Sequence, residues 1–125
     1  MRTPADGSGQ PVEATRETPR VRLARVVAAA TLRCTGVAAL DPGRDDRLST
    51  RTSVDLIPGV LVAADGEPGR HAVTVHVRAR LVELHALADG VRLAVERETR
   101  EHGLADALGR VRVVITDIAL DGEDA

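Results

Sequence analysis

Leu23, Val27, Ala30, Cys34 and Val37 recur at helical spacing and, widened by Val26, make one apolar stripe, while Arg22, Arg25 and Arg33 point away from it. Thr18-Pro19 supplies an N-cap and a first helical residue in front of the stripe, and Gly36 marks the expected stop. Further on the period changes from helical to two. Val73, Val75, Val77, Ala79 and Leu81 face one way and Thr74, His76, Arg78 and Arg80 the other, which predicts a strand with one buried and one wet face. Val60–Ala64 reads as its hairpin partner, because Asp65-Gly66-Glu67-Pro68-Gly69 between them is a run of turn residues.

A second helix is expected from Leu84 to His102, burying Leu84, Leu87, Ala88, Val91, Ala94 and Val95, with Gly103 ending it. Glu96 and Arg100 form a favourably ordered pair on its outer side. Val111–Ile118 is the last strand, and a right-handed crossover sets it parallel to its partner. The predicted fold is α+β, in the order helix, strand, strand, helix, strand. Both helices cover one face of a small mixed sheet of three strands, or four if the segment near Val54–Ile57 pairs as well. Residues 1–18 read as a disordered leader, 19–120 as a single domain, and 121–125 as a disordered acidic tail. The connection over 41–59 is long, polar and rich in turn residues.

Composition narrows the chemistry. The 125 residues include no Phe, Tyr or Trp, so the core must be aliphatic and no ring can stack on a base or a sugar. Lys and Asn are missing too, which points to a GC-rich bacterial source and makes part of the arginine excess a codon effect. A formal net charge of −2 gives no push toward nucleic acid or anionic lipid. Cys34 is the single cysteine, so an intramolecular disulfide and a multi-cysteine zinc site are both excluded. No signal-peptide pattern and no apolar run near the length of a bilayer span is present, so the expected location is the cytoplasm, with no direct membrane insertion.

No catalytic signature stands out. The nucleophile-elbow, phosphate-loop, dinucleotide and metalloprotease motifs are all missing. Cys34 lies within an apolar stripe and reads as a core residue. His71, His76, His85 and His102 share no ligand spacing, and no metal or cofactor is expected. Glu83 and His85 flank the corner into the second helix and read as solvated rather than as an acid–base pair. Gly66-Glu67-Pro68-Gly69 fits the bare G-x-x-G of KH domains, but in a hairpin turn, with Glu and Pro inside, it reads as a turn.

What remains is the wet sheet face. Thr74, His76, Arg78 and Arg80, with Arg112 and Thr116 of the last strand, form the candidate partner-binding surface. An ordinary solvated face is the plainer reading. Protein partners or a second copy of the chain are the functional one.

Gly36-Val37-Ala38-Ala39-Leu40 after the first helix, Val-Thr-Val-His-Val-Arg at 73–78, Val91-Arg92-Leu93-Ala94-Val95 and the closing Val111-Arg112-Val113-Val114-Ile115-Thr116-Asp117-Ile118 together resemble the alkaline shock protein family, envelope stress response proteins of Gram-positive bacteria. The resemblance spans about residues 20–120. It implies a small non-enzymatic cytoplasmic protein that self-assembles and can be held beneath the membrane by a membrane-anchored partner. It carries over no catalytic residue. The basic outer face of the first helix and the long charged connection after it depart from the family's commoner pattern. The expected function is that of a protein-binding or self-assembling scaffold, with homo-oligomers expected and nucleic acid not. The alternative is an RNA-associated domain of KH-like element order, acting through arginines of the open sheet face.

Overall fold

The computed structural model describes residues 17–120, so the predicted leader, apart from its last two residues, and the tail lie outside the described residues. Helix α1 runs Pro19–Leu32. Thr18 caps it as the sequence predicts: its Oγ1 accepts the Val21 N–H at 3.2 Å, with Pro19 in the first turn. Leu23, Ala24, Val27, Ala30 and Thr31 face inward, and the Thr31 hydroxyl donates to the Val27 carbonyl at 2.8 Å, so a polar group is buried without loss. The helix stops four residues before Gly36.

Strand β1, Val37–Leu40, follows at once. The 41–59 connection contains a single helical turn at Arg44–Asp46 and a minimal ribbon, β2 (Thr50–Arg51) against β3 (Leu56–Ile57). Strands β4 (Val60–Ala64) and β5 (His71–Arg80) form the predicted hairpin. Helix α2 spans Leu84–Glu101, and β6 spans Leu108–Ala119. The fold is α+β, and a four-stranded mixed sheet lies at its centre. The fourth strand is Val37–Leu40. The segment near Val54–Ile57 pairs only within its own ribbon.

β5 is the hub of the sheet. β4 pairs antiparallel with its first half, Val60 opposite Val75, and β1 pairs antiparallel with its second half, Leu40 opposite Val77. Both lie on the same side of β5. Parallel β6 takes the other side along its whole length, from His71 opposite Leu108 to Arg80 opposite Ala119. The helices cover the face that carries Val73, Val75, Val77 and Ala79, and these side chains join Leu23, Val27, Val60, Val91 and Val95 in one aliphatic core. No helix among the described residues is long and apolar enough to cross a membrane.

Candidate partner-binding face and edge

Thr74 and Arg112 are directly opposite one another in the β5–β6 ladder, as the sequence reading requires. Arg78 and Asp117 are opposite as well, with Nε 3.5 Å from Oδ2. Thr116 sits at an irregularity in β6, and its hydroxyl donates to the Val77 carbonyl at 3.1 Å. Arg80 reaches the sheet margin, where Nε donates to the Thr35 carbonyl at 3.1 Å.

His76 departs from the expected wet face: it is 7 % exposed. The reason is non-local. β1 ends and β4 begins beside it, so the Asp41 N–H donates to the His76 carbonyl at 2.8 Å and the His76 N–H to the Gly59 carbonyl at 2.7 Å. The imidazole Nδ1 lies 3.2 Å from that same Gly59 oxygen, so the ring folds into the junction. Leu81, expected inside, lies past the end of β5 and is exposed.

The face also holds acidic residues that the arginine pattern obscured. The carboxyl of Asp41 is held below the usual carboxylate range by the Thr116 hydroxyl and by the Gly43 N–H, with His76 and Arg78 adding charge attraction. Asp41 and Asp117 thus offset the arginines, and the face is mixed rather than basic. Asp117 is visible in the sequence as a neighbour of Thr116. Asp41 arrives through the chain reversal after β1, which no local pattern signals.

The remaining candidates resolve plainly. Cys34 follows α1, with Sγ 3.6 Å from the Ala30 carbonyl, and burial pushes its thiol up, away from the nucleophilic thiolate. Glu83 is the N-cap of α2: its carboxylate accepts the Ala86 N–H at 2.7 Å and the His85 N–H at 3.3 Å, which lowers its pKa. His102 ends the same helix with Nδ1 2.8 Å from the Glu98 carbonyl. Among the described residues no three His, Cys, Asp or Glu side chains converge as a metal site.

The two long edges of the sheet differ in a way that bears on binding. In the β4–β5 ladder, Gly59 and Asp65 bond to β5, so alternation sends the backbone groups of Val60 and Val62 outward. Ala64, at the strand's end, points outward too, and the first two outward carbonyls are capped, Val60 by the buried Thr50 hydroxyl at 2.6 Å and Val62 by Arg20 Nε at 3.4 Å. In β5 the even-numbered residues are committed to β4 and β1, so its odd-numbered ones bond to β6. The register then turns the N–H and C=O of Val111, Val113 and Ile115 away from the sheet. Arg92 of α2 donates Nε to the Val111 carbonyl at 3.4 Å, and Asp117 Oδ1 accepts the Ile118 N–H at 2.8 Å. Between these caps, Val113 and Ile115 face outward, and no strand among the described residues pairs with this edge. Above it, Asp89, Arg92, Leu93 and Glu96 line a shallow hollow on α2, and Leu93 is 64 % exposed.

No family model matches the chain, and neither a curated protein nor a solved structure does.

Proposed function

We propose that this chain is a non-enzymatic accessory protein that acts by binding other proteins, as a cytoplasmic scaffold in envelope homeostasis or stress. The resemblance to the alkaline shock protein family supplies the biological setting, including attachment beneath the membrane through a membrane-anchored partner. The observation that carries the binding role is the outer edge of β6, capped at Val111 and Ile118 and left open at Val113 and Ile115 between them. Such a row of outward amides and carbonyls is a template for an added strand. On the opposite edge, in contrast, the Val60 and Val62 carbonyls already accept from Thr50 and Arg20.

The RNA-binding alternative draws on Arg78 and Arg80. Asp117 offsets the charge of Arg78, and Arg80 commits one of its donors to the Thr35 carbonyl, so both are partly engaged within the chain. Cross-linking the tagged chain in its own cells separates the two readings. The expected result is a defined set of protein partners, retained as salt rises. RNA retention that falls steeply with salt and is lost in Arg78→Ala with Arg80→Ala would replace the protein-binding reading.

A further inference from the structure

We infer that the partner seated on the β6 edge is a second copy of this chain, added antiparallel about Val113 so that the two sheets become one. This inference rests on the binding reading above and names its partner.

Parity is the first argument. The outward backbone groups of β6 belong to Val111, Val113 and Ile115. A two-fold axis through Val113 sets Val113 against its own counterpart and Val111 against Ile115 of the other copy, so every outward group meets an outward group; the Val111 carbonyl, which already accepts from Arg92, takes its second bond on the other lone pair. The same alignment puts Val111, Val113 and Ile115, all half-buried toward the helices, against branched aliphatic side chains on the same face.

Charge is the second. β6 changes sign along its length, with Arg110 and Arg112 in its first half and Asp117 in its second. Antiparallel copies bring unlike halves together, whereas parallel copies would bring like halves together. Arg112 falls directly opposite Val114 of the other copy, so no like charges are directly opposed, and the two Arg112 side chains are diagonal neighbours on the outer face.

The helix layer is the third. An axis perpendicular to the sheet keeps both helix layers on one face and sets α2 of each copy alongside the other. The exposed Leu93, beside the Arg92 that caps Val111, then has an apolar counterpart to pack on. An extended peptide would satisfy the backbone of β6 but would leave Leu93 uncovered.

Sedimentation velocity on the full chain over a wide micromolar range is expected to show a monomer–dimer equilibrium. Val113→Pro deletes an outward N–H and spares the β5 ladder, so it is expected to weaken the dimer roughly tenfold with circular dichroism unchanged. Leu93→Glu lies on exposed helix surface away from the strand and is expected to act in the same direction. Register is read by mixing Arg112→Cys protein with Val114→Cys protein, each also carrying Cys34→Ser. Directly opposite, non-hydrogen-bonded residues lie about 4.5 Å apart at Cα, within disulfide reach, so the mixture should cross-link faster than either protein alone. A wild-type monomer at every concentration overturns the inference. So does a dimer indifferent to both Val113→Pro and Leu93→Glu, or one with no preference for the mixed disulfide. A chain that stays monomeric yet retains a distinct protein in the cellular cross-linking experiment sinks the second-copy partner and leaves the binding role standing.

Discussion

His76 and Gly59 are tied together twice: the His76 N–H donates to the Gly59 carbonyl at 2.7 Å, and the imidazole Nδ1 lies 3.2 Å from the same oxygen. With Asp41 donating to the His76 carbonyl on the same edge, this residue marks where that edge of the central strand passes from β1 to β4. The junction gains no strand partner beyond these bonds, so it depends on close backbone approach.

Gly59 makes that approach. Its φ is +78°, and a Cβ there would lie 2.9 Å from the His76 carbonyl and from Leu40 Cβ, and 3.0 Å from the Asp41 nitrogen. Gly59→Ala is expected to cost about 2–4 kcal/mol from left-handed strain plus the clash. Gly66→Ala has a similar φ of +80° in open space and is expected to cost only about 1 kcal/mol. Urea denaturation of the two variants measures the difference, and equal losses would mean that the clash does not decide the outcome.

Thr50→Val keeps shape and removes the donor to the Val60 carbonyl. Thr50 is 1 % exposed, so that carbonyl is left buried without its cap, and a loss of about 1–3 kcal/mol is expected. Thr50→Ser retains the hydroxyl and should lose clearly less, by the same denaturation measurement.

The core has no aromatic rings and is built mostly of valine, so its largest fully buried side chain among the described residues, Leu23, carries unusual weight. Leu23 is fully buried between α1 and the sheet, and Leu23→Ala is expected to cost about 2–5 kcal/mol. Leu93→Ala, on the exposed side of α2, is expected to change monomer stability by less than about 0.5 kcal/mol.

Acid sensitivity follows from the pairing of Arg25 with Asp55. Two guanidinium nitrogens of Arg25 lie 2.9 Å from the two Asp55 oxygens, and this bond, followed by that from Thr52, lowers the Asp55 carboxyl to about 2. A carboxyl lowered in the folded state contributes its stability fully above the unfolded value near 3.9 and loses it as pH falls toward 2. Asp55→Asn should therefore flatten the fall in melting temperature across that window and leave the neutral-pH slope unchanged. The pair is exposed, so the effect is small and shrinks with added salt.

The Asp41 carboxyl offers a separate titration. Thr116→Val removes its leading hydrogen-bond partner, so its titration, followed by side-chain carboxyl NMR, should rise toward the ordinary value. An unchanged titration would show that the Gly43 N–H and the nearby His76 and Arg78 set it without the hydroxyl.

Much of this architecture was legible because it is locally periodic. The alternation of Val73, Val75, Val77 and Ala79, the turn at 65–70 and the stop at Gly103 all stand as read. Val37–Leu40 was not legible as a strand, since Val-Ala-Ala-Leu has no alternation and continues a helical stripe equally well. It is a strand because the Arg80 N–H donates to the Gly36 carbonyl and Ala39 lies opposite Arg78, contacts about forty residues away in sequence. His76 has the parity of a wet-face residue and is buried by two chain ends that converge on it. Of the candidate face, the pair Thr74–Arg112 follows from strand register, whereas a regular register would set Arg78 opposite Thr116, and the irregularity after Val77 brings Asp117 there instead. The caps on the β4 edge do not, because Thr50 and Arg20 reach β4 from outside the sheet.

The central strand takes its whole second side from β6, which follows the sheet's other three strands in chain order. While the ribosome is still building α2, β5 has β1 and β4 on one flank and nothing on the other. The growing chain therefore carries a bare strand from Arg80 until β6 has been added, and the dozen residues of β6 decide whether that flank is sealed by its own chain or by a neighbour's.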